Sequence, residues 1–208
     1  QYLYGGLSDL CSASVMKGII PAVEILQKKI KEGVSIRIIG DYDIDGVCST
    51  YILLRGLTRA GAEVDTDIPD RKKDGYGLNE DLVKRAYDAG VDTIVTCDNG
   101  IAAVKEIAYA KSLGMTVIIT DHHELQEEIP PADVVVNPHQ KDCPYPYKNL
   151  CGAGVAWKLV SALWEQLGVP EQELYEDLLL FAGFATVGDV MDLTGENRIL
   201  VKEALKLL

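Results

Sequence analysis

The chain has 208 residues, 48% of them hydrophobic and 25% charged, enough for one substantial globular core. No uninterrupted apolar run is long enough to span a bilayer, so neither a membrane span nor a signal peptide is expected. A net charge of −12 excludes a chain-wide basic surface for nucleic acid.

Five scattered cysteines without a CxxC pair read as reduced thiols of a cytoplasmic protein, not as a disulfide framework or zinc site. The start at Gln1 without Met, and the stop at Lys206-Leu207-Leu208 inside a helical pattern, read as a fragment.

After a polar lead-in over 1–13, Ser14 to Lys31 has apolar residues at helical spacing, with a restart or kink expected at Pro21. Gly33 ends that helix and strand one runs through Val34-Ser35-Ile36-Arg37-Ile38-Ile39. Asp41-Tyr42-Asp43-Ile44-Asp45-Gly46 follows, then a helix over Val47 to Ala60. Strand two is Glu63 to Ile68; Asn79 caps a helix that runs to Ala89. Thr93 to Cys97 is strand three, Ala102 to Leu113 a helix, Thr116 to Thr120 strand four and Asp133 to Val136 a short strand five. Pro138 to Leu150 reads as loop. Three helical stretches complete the chain, Val155 to Leu167, Glu171 to Thr186 and Glu196 to Leu208.

Strands alternating with helices, stopped by single glycines, predict an α/β fold: a mostly parallel five-stranded sheet with helices on both faces, followed by a helical segment. Right-handed crossovers place all strand C-termini on one edge. Three acids crowd there after strand one. One aspartate suffices to cap a helix; three crowded carboxylates repel unless cations separate them. Strand three ends in Asp98-Asn99-Gly100 and strand four in Asp121-His122-His123-Glu124, so three strand ends carry acids or histidines along one edge. Such oxygen and imidazole donors suit manganese, magnesium, iron or zinc. Asp189, near the end of an apolar helix, reads on its own as a loop acid.

Gly40 to Gly46, Cys97-Asp98-Asn99-Gly100, Thr120-Asp121-His122-His123-Glu124 and Gly188-Asp189-Val190 resemble, in order, the four motifs of the DHH phosphoesterase superfamily. The connecting text is similar to the RecJ family of single-strand-specific exonucleases. It includes Ile68-Pro69-Asp70-Arg71, Asp74 to Leu78, Asn137-Pro138, Tyr145-Pro146 and Leu150 to Ala156. The resemblance covers about residue 34 to the C-terminus, and divides the chain into a lead-in and helix (1–33), the core with motifs one to three (34–150) and a helical segment with motif four (151–208).

The resemblance implies two divalent ions, usually Mn²⁺ with Mg²⁺ as an alternative. Asp98 would bridge them; Asp43 would complete one site, and Asp45, His122 and Asp189 the other. Many family members have a histidine where this chain has Ile39; Asp41 or water would take its place. His123 would contact the scissile phosphate and Asp121 would orient a histidine.

Phosphodiester hydrolysis fits this chemistry independently, since two ions roughly 3.5–4 Å apart activate water and clamp the attacking and leaving oxygens. Arg71-Lys72-Lys73 fits phosphate contact or a solvated loop; Tyr76 fits base stacking or a packed anchor. Gly152 and Gly154 fit a phosphate at a helix start, or close packing.

The family's function is removal of nucleotides from the 5′ end of single-stranded DNA in repair and recombination. In full enzymes a DHH-associated domain and an OB-type domain, absent from this fragment, supply most of the grip. Single-strand-binding protein and a RecQ-type helicase are the implied partners, with no membrane. The fragment alone is expected to bind metal with weak or no nuclease activity. The alternatives are a phosphodiesterase of short oligonucleotides or cyclic dinucleotides, and a non-catalytic scaffold for replication partners, which would show eroded ligands.

Overall fold

A computed structural model describes residues 5–70 and 77–208. After short 3-10 turns at Leu7–Asp9 and Ala13–Val15, the chain forms α1 (Ile19–Glu32), β1 (Ser35–Ile39), α2 (Ile44–Arg59), β2 (Glu63–Asp67) and α3 (Glu80–Asp88). It continues through β3 (Thr93–Cys97), α4 (Val104–Ser112), β4 (Thr116–Thr120) and β5 (Val134–Val136) to α5 (Gly152–Leu167), α6 (Glu171–Gly188) and α7 (Gly195–Ala204). A last 3-10 turn covers Leu205–Leu207.

All strand pairs are parallel, in the order β2-β1-β3-β4-β5. The order reverses between β1 and β3, which makes a crevice at their carboxyl ends. Period-two alternation sorts the strand residues between two layers. Ile36, Ile38, Val95, Ile118, Val134 and Val136 join the core beneath α1, α2 and α5. Ile39, Ile94, Val117 and Ile119 pack with Leu82, Val83, Ala86, Ile107 and Ala110 of α3 and α4. The first core runs from Ala13 to Leu200, so the lead-in, sheet and C-terminal helices share one interior. No described helix is long and apolar enough to cross a membrane.

Three helix starts differ by three residues or more from the sequence reading. The first helix begins at Ile19, because Gly18 (φ +93°) passes so close to β5 that a Cβ there would lie 2.1 Å from the Val135 carbonyl oxygen. Val15 is accordingly 37% exposed, and Pro21 sits harmlessly in the first turn, where amides have no helical partner. α2 begins at Ile44, so Asp43 is its N-cap and accepts from Gly46 N–H at 2.8 Å, while Asp45 lies within the first turn. α5 begins at Gly152.

α2 and α5 are held close by Gly56, where a Cβ would lie 2.4 Å from Val160 Cγ2, and by Trp164 Nε1, which donates to the Gly56 carbonyl at 2.9 Å. Alanine is the better helix former, so any loss on Gly56→Ala comes from packing. We expect Gly56→Ala to cost about 1–3 kcal/mol in chemical denaturation. Val160→Ala in the same chain should recover part of that loss; two independent, additive losses would contradict the contact.

Candidate metal centre

Eight of the nine acids and histidines in the four motifs gather at the crevice over β1, β3 and β4, all but the exposed Glu124. Three groups of donors each lie within 4.8 Å of one another: Asp41, Asp43 and Asp98; Asp98, His122 and His123; and Asp45, His122 and Asp189. Asp98 belongs to two groups and so does His122. His122 Nε2 lies 3.1 Å from Asp98 Oδ1, 3.5 Å from Asp45 Oδ2 and 3.9 Å from Asp189 Oδ2. Asp41, Asp45, Asp98 and Asp121 form a buried floor, with Asp43 and His123 exposed at the mouth.

Local structure sets each position. Asp98 leaves β3 with φ +58°, a conformation that aspartate tolerates better than most side chains. Asn99 pins this turn by donating to the carbonyls of Ile39 and Cys97, at 3.1 and 2.9 Å, and Thr96 Oγ donates to the Asn99 carbonyl at 2.9 Å. Asp121 accepts from the amides of Ile101, His122 and His123 at 2.9, 2.7 and 3.0 Å. His123 Nδ1 lies 2.7 Å from Asp121 Oδ1; an ionised carboxylate only accepts, so this nitrogen carries the proton and Nε2 is left for other chemistry. Asp189 is the C-cap of α6, which brings a residue from 144 positions beyond Asp45 to the same imidazole.

Gly152 also enters the site. Its amide and that of Ala153 donate to the Asp45 carboxylate at 2.6 and 2.7 Å. Gly154 is buried against Leu150, whose Cβ lies 3.3 Å from the place a Cβ would occupy. Arg71 and Tyr76 lie outside the described residues. His139 stands apart, with Nδ1 3.4 Å from Glu124 Oε1.

The sequence reading did not single out Asn99 or Asn137 as supports. Asn137 donates to the His123 carbonyl at 2.9 Å and accepts from His139 N–H at 2.8 Å, tying the end of β5 to the histidine loop. Their signal was positional: each is a polar residue just past a strand on the edge that carries the acids.

Burial, then the charges of Asp45 and Asp43, push the Asp98 carboxyl up to about 10 in the metal-free protein. Burial, then Asp45, likewise raises Asp189. Asp41 is raised mainly by burial; the nearby amides of Tyr42 and Gly77 oppose this in part, yet among the described residues neither carboxylate oxygen has a hydrogen bond of ordinary geometry. Burial also works to raise Asp121, but its bonds to His123 outweigh this and hold it below the usual range; the same contact raises His123. A buried acid cluster with unanswered oxygens fits hard divalent cations, and carboxylates with one or two imidazoles are the donors such ions take. All five cysteines are free, and burial pushes those beside the cluster, Cys97 and Cys151, up and away from thiolate.

The profile of the DHH family, N-terminal domain, matches residues 35–183. The chain belongs to this family. Among its curated relatives is the single-stranded-DNA-specific exonuclease RecJ of Bacillus subtilis, 42% identical over 207 residues, covering 100% of this chain and 25% of that protein. The RecJ of Thermus thermophilus is 40% identical over 193 residues, covering 91% of this chain and 28% of that one. Of solved structures, exonuclease RecJ bound to manganese superposes with a TM-score of 0.83 at 38% identity, over 92% of this chain and 48% of that one. RecJ in complex with Mn²⁺ from Thermus thermophilus gives 0.78 at 37% identity, over 92% of this chain and 27% of that one. The chain thus spans about a quarter to a third of the length of the curated RecJ proteins it resembles.

Two outcomes follow for the metal-free chain. Asp98, Asp41, Asp189 and His123 all have raised pKa values, so their stabilising contribution is fully present below their unfolded values and is lost as pH rises through the folded ones. Asp121, which is lowered, contributes above the ordinary carboxylate value and loses that only on acidification. Thermal unfolding in chelator should therefore show the melting temperature falling between about pH 5 and 8. Asp98→Asn, which keeps a residue tolerant of positive φ, should raise the metal-free melting temperature at pH 8 and abolish further stabilisation by Mn²⁺. A metal-free Asp98→Asn chain less stable than wild type would show that the contacts of the Asp98 carboxylate outweigh the repulsion it suffers.

Proposed function

We propose that this chain is the catalytic domain of a RecJ-like exonuclease, which hydrolyses single-stranded DNA from its 5′ end with two divalent ions, Mn²⁺ or Mg²⁺. The observation that carries this reading is Asp98, which joins Asp41 and Asp43 in one donor group, lies 3.1 Å from His122 of another, and is pushed up by burial and by the charges of Asp45 and Asp43. Asp41, Asp43 and Asp98 would hold one ion; Asp45, His122, Asp189 and Asp98 the other. When bound, the ions supply an activated water and neutralise charge on the phosphate.

The chain's own residues then have separable tasks. Asp98 would be shared by both ions. Asp121 fixes the tautomer and orientation of His123. His123, exposed at the mouth, meets the scissile phosphate through Nε2 and aids departure of the leaving oxygen. Asn99 and Asn137 hold the turns that carry Asp98 and His123.

With a net charge of −12, this domain offers little long-range attraction for a polyanion. We assign most of the strand-gripping surface to further domains of the whole enzyme, DHH-associated and OB-type. Work in DNA repair and recombination, contact with single-strand-binding protein and a RecQ-type helicase, and a cytoplasmic location rest on the family resemblance; the free cysteines agree with the last.

Full-length protein, Mn²⁺ and single strands labelled at either end test the reading. Mononucleotides should be released from the 5′ end first. Release from the 3′ end, or cleavage that speeds up as oligonucleotides shorten, would favour another phosphodiesterase of this superfamily. His123→Gln should lower the rate on the order of 10²-fold or more, with Mn²⁺ affinity changed only a few-fold. Equal loss of affinity and rate would instead make His123 an ion ligand.

A further inference from the structure

α5 starts without a cap of its own: its N-cap residue, Cys151, makes no side-chain capping hydrogen bond. The first N–H groups of a helix have no intrahelical partner and need one when buried. Here the partner comes from α2. Asp45, fully buried, accepts from Gly152 N–H through Oδ2 at 2.6 Å and from Ala153 N–H through Oδ1 at 2.7 Å, across 107 and 108 residues of sequence. The positive end of α5 thus meets a carboxylate of the cation site.

Gly152 meets a second carboxylate through what it lacks. A Cβ there would lie 2.7 Å from Asp98 Cβ, 2.9 Å from Oδ1 and 3.0 Å from Cγ. Its φ is outside the left-handed region, so conformational freedom does not explain the glycine; the approach of Asp98 does. For Gly154, two positions on in the same helix, the three nearest contacts of a Cβ would all be Leu150 side-chain atoms, at 3.3 to 3.8 Å.

We propose that Gly152 is a positioning residue of the cation site, orienting Asp45 through its amide and setting the depth of Asp98 by having no side chain. The proposal rests on the two-cation reading above. It means that the start of α5 is taken up inside the protein and is not the seat of a substrate phosphate. It also makes the helical segment part of the site from both ends, with Gly152 opening α5 and Asp189 closing α6.

The test sets Gly152→Ala against Gly154→Ala in this 208-residue chain, with Mn²⁺ affinity read by calorimetry and metal-free stability by thermal unfolding. Both changes alter helix propensity alike. Gly154→Ala should bind Mn²⁺ within about two-fold of wild type, and Gly152→Ala about 10–100-fold more weakly. Amide spectra of the metal-free protein give a second readout that survives if Gly152→Ala folds poorly. The Gly152 and Ala153 resonances should lie far downfield, move upfield in Asp45→Asn, and ignore added inorganic phosphate.

Gly152→Ala binding Mn²⁺ as well as Gly154→Ala does overturns the proposal alone. So do Gly152 and Ala153 resonances that respond to phosphate and not to Asp45→Asn. A wild-type chain that takes up no Mn²⁺ overturns the two-cation reading and this proposal with it.

Discussion

Repulsion among carboxylates buried at one sheet edge is the constraint around which this domain is built. Asp41, Asp45, Asp98 and Asp121 are at most 2% exposed and sit where β1, β3 and β4 end. Burial and neighbouring like charge raise the carboxyls of Asp41 and Asp98, which opposes folding at neutral pH. A sheet that only needed to be stable would not collect them.

The fold contains this by giving three of the acids backbone donors. Asp43 caps α2, Asp45 caps α5 from another helix, and Asp121 takes three amides and an imidazole. Among the described residues Asp41 lacks any bond of ordinary geometry, and Asp98 has His122 as its close polar side-chain contact. The demand for positive charge is therefore concentrated on the two residues after β1 and β3, at the point where strand order reverses.

A second buried charge shows the contrast. Lys158, 2% exposed, lies 3.0 Å from Glu196, donates to the Cys11 carbonyl at 2.7 Å and faces the rings of Tyr145 and Trp157. Glu196 accepts from Tyr145 OH at 2.6 Å and from Cys11 N–H at 2.9 Å. This network is answered from within and fastens the lead-in and α7 to α5. Breaking one partner would strand the other, so its role is structural. Burial alone does not separate a functional charge from a structural one; the presence or absence of internal partners does.

The elements and the main ligand candidates were legible in the sequence because their causes are local. Short apolar runs, single-glycine stops and acids just past strand ends are written within a few residues of one another. Asp43, Asp45, Asp98, Asp121 and His122 could be placed on one edge from that alone. Strand order could not, since it depends on which strands pair, and that order is what sets Asp98 beside Asp41. Nor could the start of α1, decided by Gly18 against Val135; Asp189, in isolation a loop acid, was drawn to the site only through the family resemblance of its motif. Gly152 is the clearest case. Two uses of a glycine at a helix start fit its sequence, and what bears on them is the approach of Asp45 and Asp98 from far earlier in the chain, contacts that leave no local pattern to read.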